Sequence, residues 1–345
     1  MCLLDEWLPV DMTVGCMLLI VTAVCVVLQV LRFIFADADF TLLWSASFGH
    51  KPESILRGQV VWITGASSGI GEELAYQLAE IGARLVLSAR RENELQRVKR
   101  ECLGRSKLHD EDILVLPLDL LDRTSHEPAT ATVVEHFGKI DMLINNGGRS
   151  QRSLCLETAV EVYEALMELN VLGTVSLTKS VLPHMVQRGV GTVTAVSSVV
   201  GIAGAPLATG YAASKHALQG FFNSLRIELA DYPGLTISTI LPGPVQSQIV
   251  QNAFTESLNK PLVETGNQQH KMATSRCARL ILCGLANRVK EMWIGQQPFL
   301  LYFYVWQYTP TLAWFVTNLL GKKRIQNFKA GLDADSAYFT KPKSQ

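Results

Sequence analysis

The chain has 345 residues, with 31 acidic and 31 basic side chains, so it carries no basic footprint for nucleic acid. Apolar residues make up 48 % and charged residues 18 %, a balance that suggests a membrane-facing part. The seven cysteines lack CxxC spacing, which argues against a zinc site or a disulfide framework and for scattered buried thiols.

From Met12 to Leu31 no charged residue occurs, about the length needed to cross a hydrocarbon core. The acids Asp5, Glu6 and Asp11 stand where a signal peptide would be basic, so residues 1–36 read as an uncleaved anchor and 37–58 as a linker. Residues 59–295 then alternate short apolar strands with helices. Strands are expected at Val60–Thr64, Arg84–Ala89, Ile113–Pro117, Asp141–Asn145, Gly191–Ser197, Leu235–Leu241 and Glu291–Ile294. Helices are expected at Ile70–Gly82, Glu92–Leu103, Thr132–Phe137, Val160–Val186 and Tyr211–Asp231. This pattern predicts an α/β fold: a doubly wound parallel sheet of Rossmann type, covered by helices on both faces.

Residues 296–345 form a different end. No charge lies between Glu291 and Lys322, and the stretch is dense in Trp, Tyr and Phe. Pro310 breaks a simple spanning helix. Three readings are open: an interfacial segment that lids the active site, a buried subunit contact, or a second span.

The first strand runs into Gly65-Ala-Ser-Ser-Gly69-Ile-Gly71 and then a helix. Glycines there allow a sharp turn and a close approach to a pyrophosphate at the positive helix end. The second strand ends without the acid that usually meets an NAD ribose; Ala89 is followed by Arg90 and Arg91. An arginine fork in that place suits a 2′-phosphate, hence NADP(H). Tyr211 and Lys215 are four apart on an expected helix and so share a face. A tyrosine has a pKa of about 10 in water, and a neighbouring ammonium lowers it by stabilising the phenolate. That pairing suits proton transfer to and from a carbonyl oxygen.

These motifs together resemble the classical short-chain dehydrogenase/reductase family: "TGASSGIG" at 64–71, "LDL" at 118–120, "NNGG" at 145–148, "ELNVLGT" at 168–174, "SS" at 197–198, "YAASK" at 211–215 and "PGPVQS" at 242–247. They stand in family order over about two thirds of the chain. The resemblance implies that Thr64, Gly65, Ser67, Ser68, Gly69, Ile70 and Gly71 form the phosphate turn, with Ser67 and Arg90 on the 2′-phosphate. It implies Asp119 and Leu120 at the adenine, Asn146 and Gly147 along the adenosine, and Pro242, Gly243, Val245 and Ser247 around the nicotinamide. Tyr211 would be the general acid, Lys215 would also bind the nicotinamide ribose, Ser198 would hold the carbonyl oxygen, and Asn170 would prop a water that links Lys215 to bulk. The family usually has alanine where this chain has Gly147, and the smaller residue would loosen that turn. "QRSLC", Gln151–Cys155, is expected to edge the substrate pocket, with Cys155 buried.

The implied activity is NADPH-dependent reduction of lipophilic carbonyls (steroids, retinoids, xenobiotic ketones) at the endoplasmic reticulum membrane. A homodimer through the two long helices is the expected assembly, with no metal and no nucleic acid. A nucleotide-binding sensor or scaffold on the same fold is the rival reading.

Overall fold

Short β-branched runs pair side by side in one parallel sheet, and their alternating side chains feed two separate cores. The computed structural model describes residues 8–262 and 268–332. Its strands are β1 (Val60–Thr64), β2 (Arg84–Ser88), β3 (Ile113–Val115), β4 (Met142–Asn145), β5 (Gly191–Val196), β6 (Leu235–Pro242) and β7 (Glu291–Ile294). Their spatial order is β3-β2-β1-β4-β5-β6-β7, with every neighbouring pair parallel. The order reverses between β1 and β4, and ligands of open α/β sheets bind at the carboxyl ends of the strands at such a reversal.

Helices α1 (Leu8–Ile34), α2 (Phe40–Phe48) and α3 (Pro52–Ile55) precede the sheet. Around it stand α4 (Gly69–Ile81), α5 (Glu92–Arg105), α6 (His126–Phe137), α7 (Val160–Met167), α8 (Thr174–Arg188), α9 (Thr209–Glu228) and α10 (Thr274–Ala286). A final pair, α11 (Phe299–Tyr308) and α12 (Pro310–Lys329), closes the described chain. On β1, Val61 and Ile63 join one core with Leu74 and Leu78 of α4 and Leu280 and Ile281 of α10. Val60 and Trp62 point the other way, to Leu177 and Val181 of α8 and Leu218 and Phe222 of α9. The result is three layers, with the sheet in the middle.

Several elements differ from the sequence expectation. The stretch 37–58 carries α2 and α3 and packs on the domain. Asp39 accepts from Leu42 N at 3.0 Å, which caps α2, and from Trp293 N at 2.8 Å, which ties α2 to β7. Leu42 is fully buried in the core beneath. The single long helix expected at Val160–Val186 is α7 and α8 joined by a π-helical turn, Glu168–Gly173. Helix α6 begins at His126 rather than Thr132, and β3 ends at Val115.

Among the described residues one helix is long and apolar enough to cross a membrane, Val14–Ile34 within α1, with a mean hydropathy of 2.7. Of the thiols, Cys102, Cys277 and Cys283 are buried as expected. Cys16, Cys25 and Cys155 are exposed, and Cys2 lies outside the described residues. Cys16 and Cys25 belong to the membrane-length apolar stretch of α1.

Candidate active site

The turn after β1 is built on backbone that L side chains avoid. Gly65 and Gly69 have φ of +65° and +61°. Gly71 starts the first turn of α4, and a Cβ there would run into the Gly65 carbonyl oxygen and the Asn146 amide. The turn is fastened from β4: Asn146 Nδ2 donates to the carbonyls of Thr64 and Gly65 at 3.1 and 3.2 Å. Thr64 Oγ1 in turn accepts from the backbone of Asn146 and Gly147, both at 3.0 Å. This cradle is a glycine-bearing turn set at the N-terminus of a helix, and it fits a dinucleotide phosphate.

Beside the cradle lies a cavity of about 670 Å³. Of the residues expected at the phosphate turn, Thr64, Gly65, Ser67, Ser68, Gly69 and Ile70 line it, while Gly71 stands behind the turn. Arg90 lines it too, and so does Arg91, whose guanidinium donates to Ser67 Oγ at 3.4 Å. The sequence reading gave the 2′-phosphate contact to Ser67 and Arg90; the bond to Ser67 puts Arg91 at the same end of the cavity. Asp119, Leu120, Asn146 and Gly147 form the next stretch of wall. The Gly147 turn is not loose, because a Cβ on Gly147 would come within 2.7 Å of Leu120 Cδ1. Leucine 120 fills the space that an alanine methyl would take. Pro242, Gly243, Val245 and Ser247, at the end of β6 and beyond, complete the wall.

Ser198, Tyr211 and Lys215 line the same cavity. Ser198 caps the turn that follows β5, accepting from Val200 N at 3.4 Å and donating to Pro242 O at 3.3 Å, and it lines the cavity with Tyr211. Ser197 turns away and donates to Lys215 O at 3.2 Å. The Lys215 ammonium donates to Val196 O at 2.9 Å and lies 5.6 Å from the centre of the Tyr211 ring. Burial dominates the electrostatics here. It raises the Tyr211 phenol above its ordinary value, against smaller opposing effects of the Ser198 hydroxyl and the Arg152 guanidinium. Burial pushes the Lys215 ammonium down to about 8. The two groups are neighbours, and burial is the largest influence on each.

Asn170 is fully buried and does not line the cavity. The π-helical turn presents its amide to the backbone after β4. Its Oδ1 accepts from Arg149 N at 2.9 Å, and its Nδ2 donates to Arg149 O and Ser214 Oγ, each at 3.0 Å. A Cβ on Gly148 would stand 2.9 Å from Asn170 Oδ1 and 3.8 Å from Lys215 Nζ, so Gly148 alone separates the two. Extra residues in a helix turn of this kind commonly mark functional positions.

Two features escaped the sequence. Gln151 is buried, and its Oε1 accepts from Gly210 N at 2.7 Å and Tyr211 N at 3.3 Å, so it fixes the start of α9 and with it the tyrosine. An uncapped helix start at Ala208 was the only available signal. Arg152 lines the cavity, whereas Cys155 is exposed and takes a 3.4 Å hydrogen bond from Tyr163. The outer wall comes from α11 and α12, through Phe299, Tyr302, Val316, Leu320 and Arg324. The loop 246–272 that follows β6 contributes Gln248, Ile249 and Val250; its residues 263–267 lie outside the described residues.

Residues 59–258 match the model of the short-chain dehydrogenase family. The chain is 60 % identical over 323 residues to human dehydrogenase/reductase SDR family member 7, covering 93 % of this chain and 95 % of that one. It is 58 % identical over 310 residues to the mouse protein of the same name, covering 90 % and 92 %. An alcohol dehydrogenase from the archaeon Thermococcus sibiricus, solved with 5-hydroxy-NADP, has the same fold: TM-score 0.61 at 24 % identity, over 69 % of this chain and 97 % of that one. With its parallel sheet, glycine cradle and Ser–Tyr–Lys cluster, this chain belongs to the short-chain dehydrogenase/reductase family of oxidoreductases.

Proposed function

We propose that the protein is a membrane-anchored, NADPH-dependent reductase that converts carbonyls of lipophilic molecules, of the steroid, retinoid or xenobiotic-ketone class, to alcohols. The observation that carries this reading is that Ser198, Tyr211 and Lys215 line one cavity together with the glycine turn after β1 and apolar side chains of α11 and α12. The phosphate cradle, with Arg90, Arg91 and Ser67 at its outer end, would hold an NADP nucleotide, with Asp119 and Leu120 at the adenine and Pro242, Gly243, Val245 and Ser247 at the nicotinamide. Bound there, the reduced nucleotide supplies the hydride that the carbonyl carbon accepts.

The chain's own residues handle the oxygen. Ser198 donates a hydrogen bond to the carbonyl and orients it. Tyr211, kept protonated by burial, delivers its proton to the oxyanion as that charge develops. A phenol held above its ordinary pKa stays protonated at neutral pH, which is the form that reduction requires. Lys215 lies close enough to repay the phenolate with positive charge once Tyr211 has given up its proton. Asn170 acts one layer back, holding the Arg149 backbone and Ser214 in place, and Gln151 sets the height of Tyr211.

The apolar α1 would fasten the enzyme to the endoplasmic reticulum membrane, and the α7–α8 and α9 helices are the proposed homodimer contact. The test is NADPH consumption by membranes carrying the full-length chain with a panel of steroid, retinal and xenobiotic ketones, beside Tyr211→Phe. Turnover that disappears in the variant, with NADPH binding retained, is the expected result. Equal turnover in the variant refutes the mechanism. NADPH binding without turnover of any ketone would favour the sensor reading.

A further inference from the structure

Beyond α1, two helices, α2 and α12, each carry a group of large exposed apolar side chains. On α2, Phe40, Trp44 and Phe48 are spaced four apart on one face, each more than half exposed, with ring centroids 6.0 and 4.7 Å apart. On α12, Leu312, Phe315 and Leu319 form one outward stripe, also more than half exposed, and Trp314 stands beside them against Trp306. The opposite face of α12 is the cavity wall: Thr317, Leu320, Gly321 and Arg324 line it, and Gly321 lies against Pro206. One helix therefore has an apolar outside and an active-site inside.

These pieces are continuous. Phe33, in the last turn of α1, packs edge-on against Tyr304 of α11 at 5.8 Å, and Gln297 donates to Phe33 O at 2.8 Å. The Phe40 backbone reaches the Tyr304 hydroxyl, joining the start of α2 to α11. No charge interrupts the chain from Met292 to Gly321, and then Lys322 and Lys323 stand exposed at the edge. Neither late helix can span. The 10 residues of α11 rise only about 15 Å, half of a hydrocarbon core, and α12 carries Lys322, Lys323 and Arg324.

We propose that the outer faces of α2, α11 and α12 form a platform seated in the interfacial layer of the same bilayer that α1 enters, so that the apolar wall of the active-site cavity rests against lipid. Contiguous apolar patches on folded domains mark a partner surface. Tryptophan and tyrosine favour the headgroup boundary, and helices with one apolar face lie in its plane. Lys322 and Lys323 meet the anionic headgroups at the rim. The proposal rests on the reading of α1 as an anchor.

The test uses the full-length protein in vesicles of phosphatidylcholine and phosphatidylserine at a ratio of about 4:1, enough acidic lipid to engage the two lysines. Tryptophan emission is measured with and without phosphatidylcholine brominated near the headgroup end of its acyl chains. Wild type is compared with Trp44→Phe and Trp314→Phe, which are exposed, conservative changes. The expected result is that the protein floats with the vesicles and that each substitution removes a share of the quenchable emission. Protein that floats but shows the same quenched share in all three forms overturns the platform and leaves the anchor standing; a second copy of the chain covering this face gives that outcome. Protein that does not float overturns both.

Discussion

Lys215→Met is expected to make the nucleotide-free protein more stable at pH 7 while destroying its activity. The wild-type ammonium is buried, and it donates a hydrogen bond to Val196 O at 2.9 Å. Burial takes it from 10.5 in the open chain to about 8 in the fold. Each tenfold change in proton affinity is worth about 1.4 kcal/mol, so holding the charged form costs the fold about 3 kcal/mol. Between pH 8 and 10.5 the unfolded chain binds a proton that the folded chain has released. Wild-type stability therefore rises with pH across that window, and below pH 8 the whole penalty is present. Methionine removes the charge and keeps most of the volume, and it forfeits a hydrogen bond worth about 1 kcal/mol. The balance is a gain of about 2 kcal/mol at pH 7, or about 4–8 °C in Tm for a domain of this size. Near pH 10.5 the gain vanishes. Thermal unfolding of both forms at pH 7 and 10.5 in one detergent reads the effect. A variant less stable than wild type at pH 7, or a difference that does not shrink with pH, refutes the claim that burial opposes the ammonium.

Arg90→Ala and Arg91→Ala should each weaken NADPH binding about tenfold or more and leave NADH nearly unchanged, since each removes a charge-assisted bond worth about 1.5–3 kcal/mol. Equal losses for both nucleotides, by titration of nicotinamide fluorescence, would reject the 2′-phosphate assignment. Gly71→Ala drives a methyl into the Gly65 carbonyl and should weaken both nucleotides by at least about tenfold, about 1.4 kcal/mol; unchanged dissociation constants would show that the cradle yields. Asp39→Ala removes the cap of α2 and strands Trp293 N–H, for a loss of about 2 kcal/mol in chemical denaturation. No change in the midpoint would mean that 37–58 is a linker after all.

The local parts of the site were legible in the sequence because each is written within one turn or one strand. The glycines of 65–71 need their positions to bend the backbone, and Tyr211 and Lys215 share a face by the helical period alone. Strand alternation and the apolar run of α1 follow from the same short-range rules. Residues whose neighbours are distant in sequence were not legible. Gln151 reaches α9 across 60 positions, and Asp39 reaches β7 across 254. Asn170 looked like part of one long helix, and the π-helical turn that aims it at Arg149 is set by packing, not by propensity.

The sequence by itself determined the order of the strands and helices, the phosphate turn, the pairing of a phenol with an ammonium, and one helix of membrane length. Tertiary structure decided the state of that pair and the shape of its chamber. Burial depends on what covers a group, and here it is the largest influence on both Tyr211 and Lys215. Which side of the aromatic C-terminal segment meets the cavity was likewise decided by packing: α11 and α12 fold back at Pro310, with one face of α12 on the cavity and the other turned outward. Periodicity shows that a helix has an apolar face; only the packed chain shows which side of it the active site occupies.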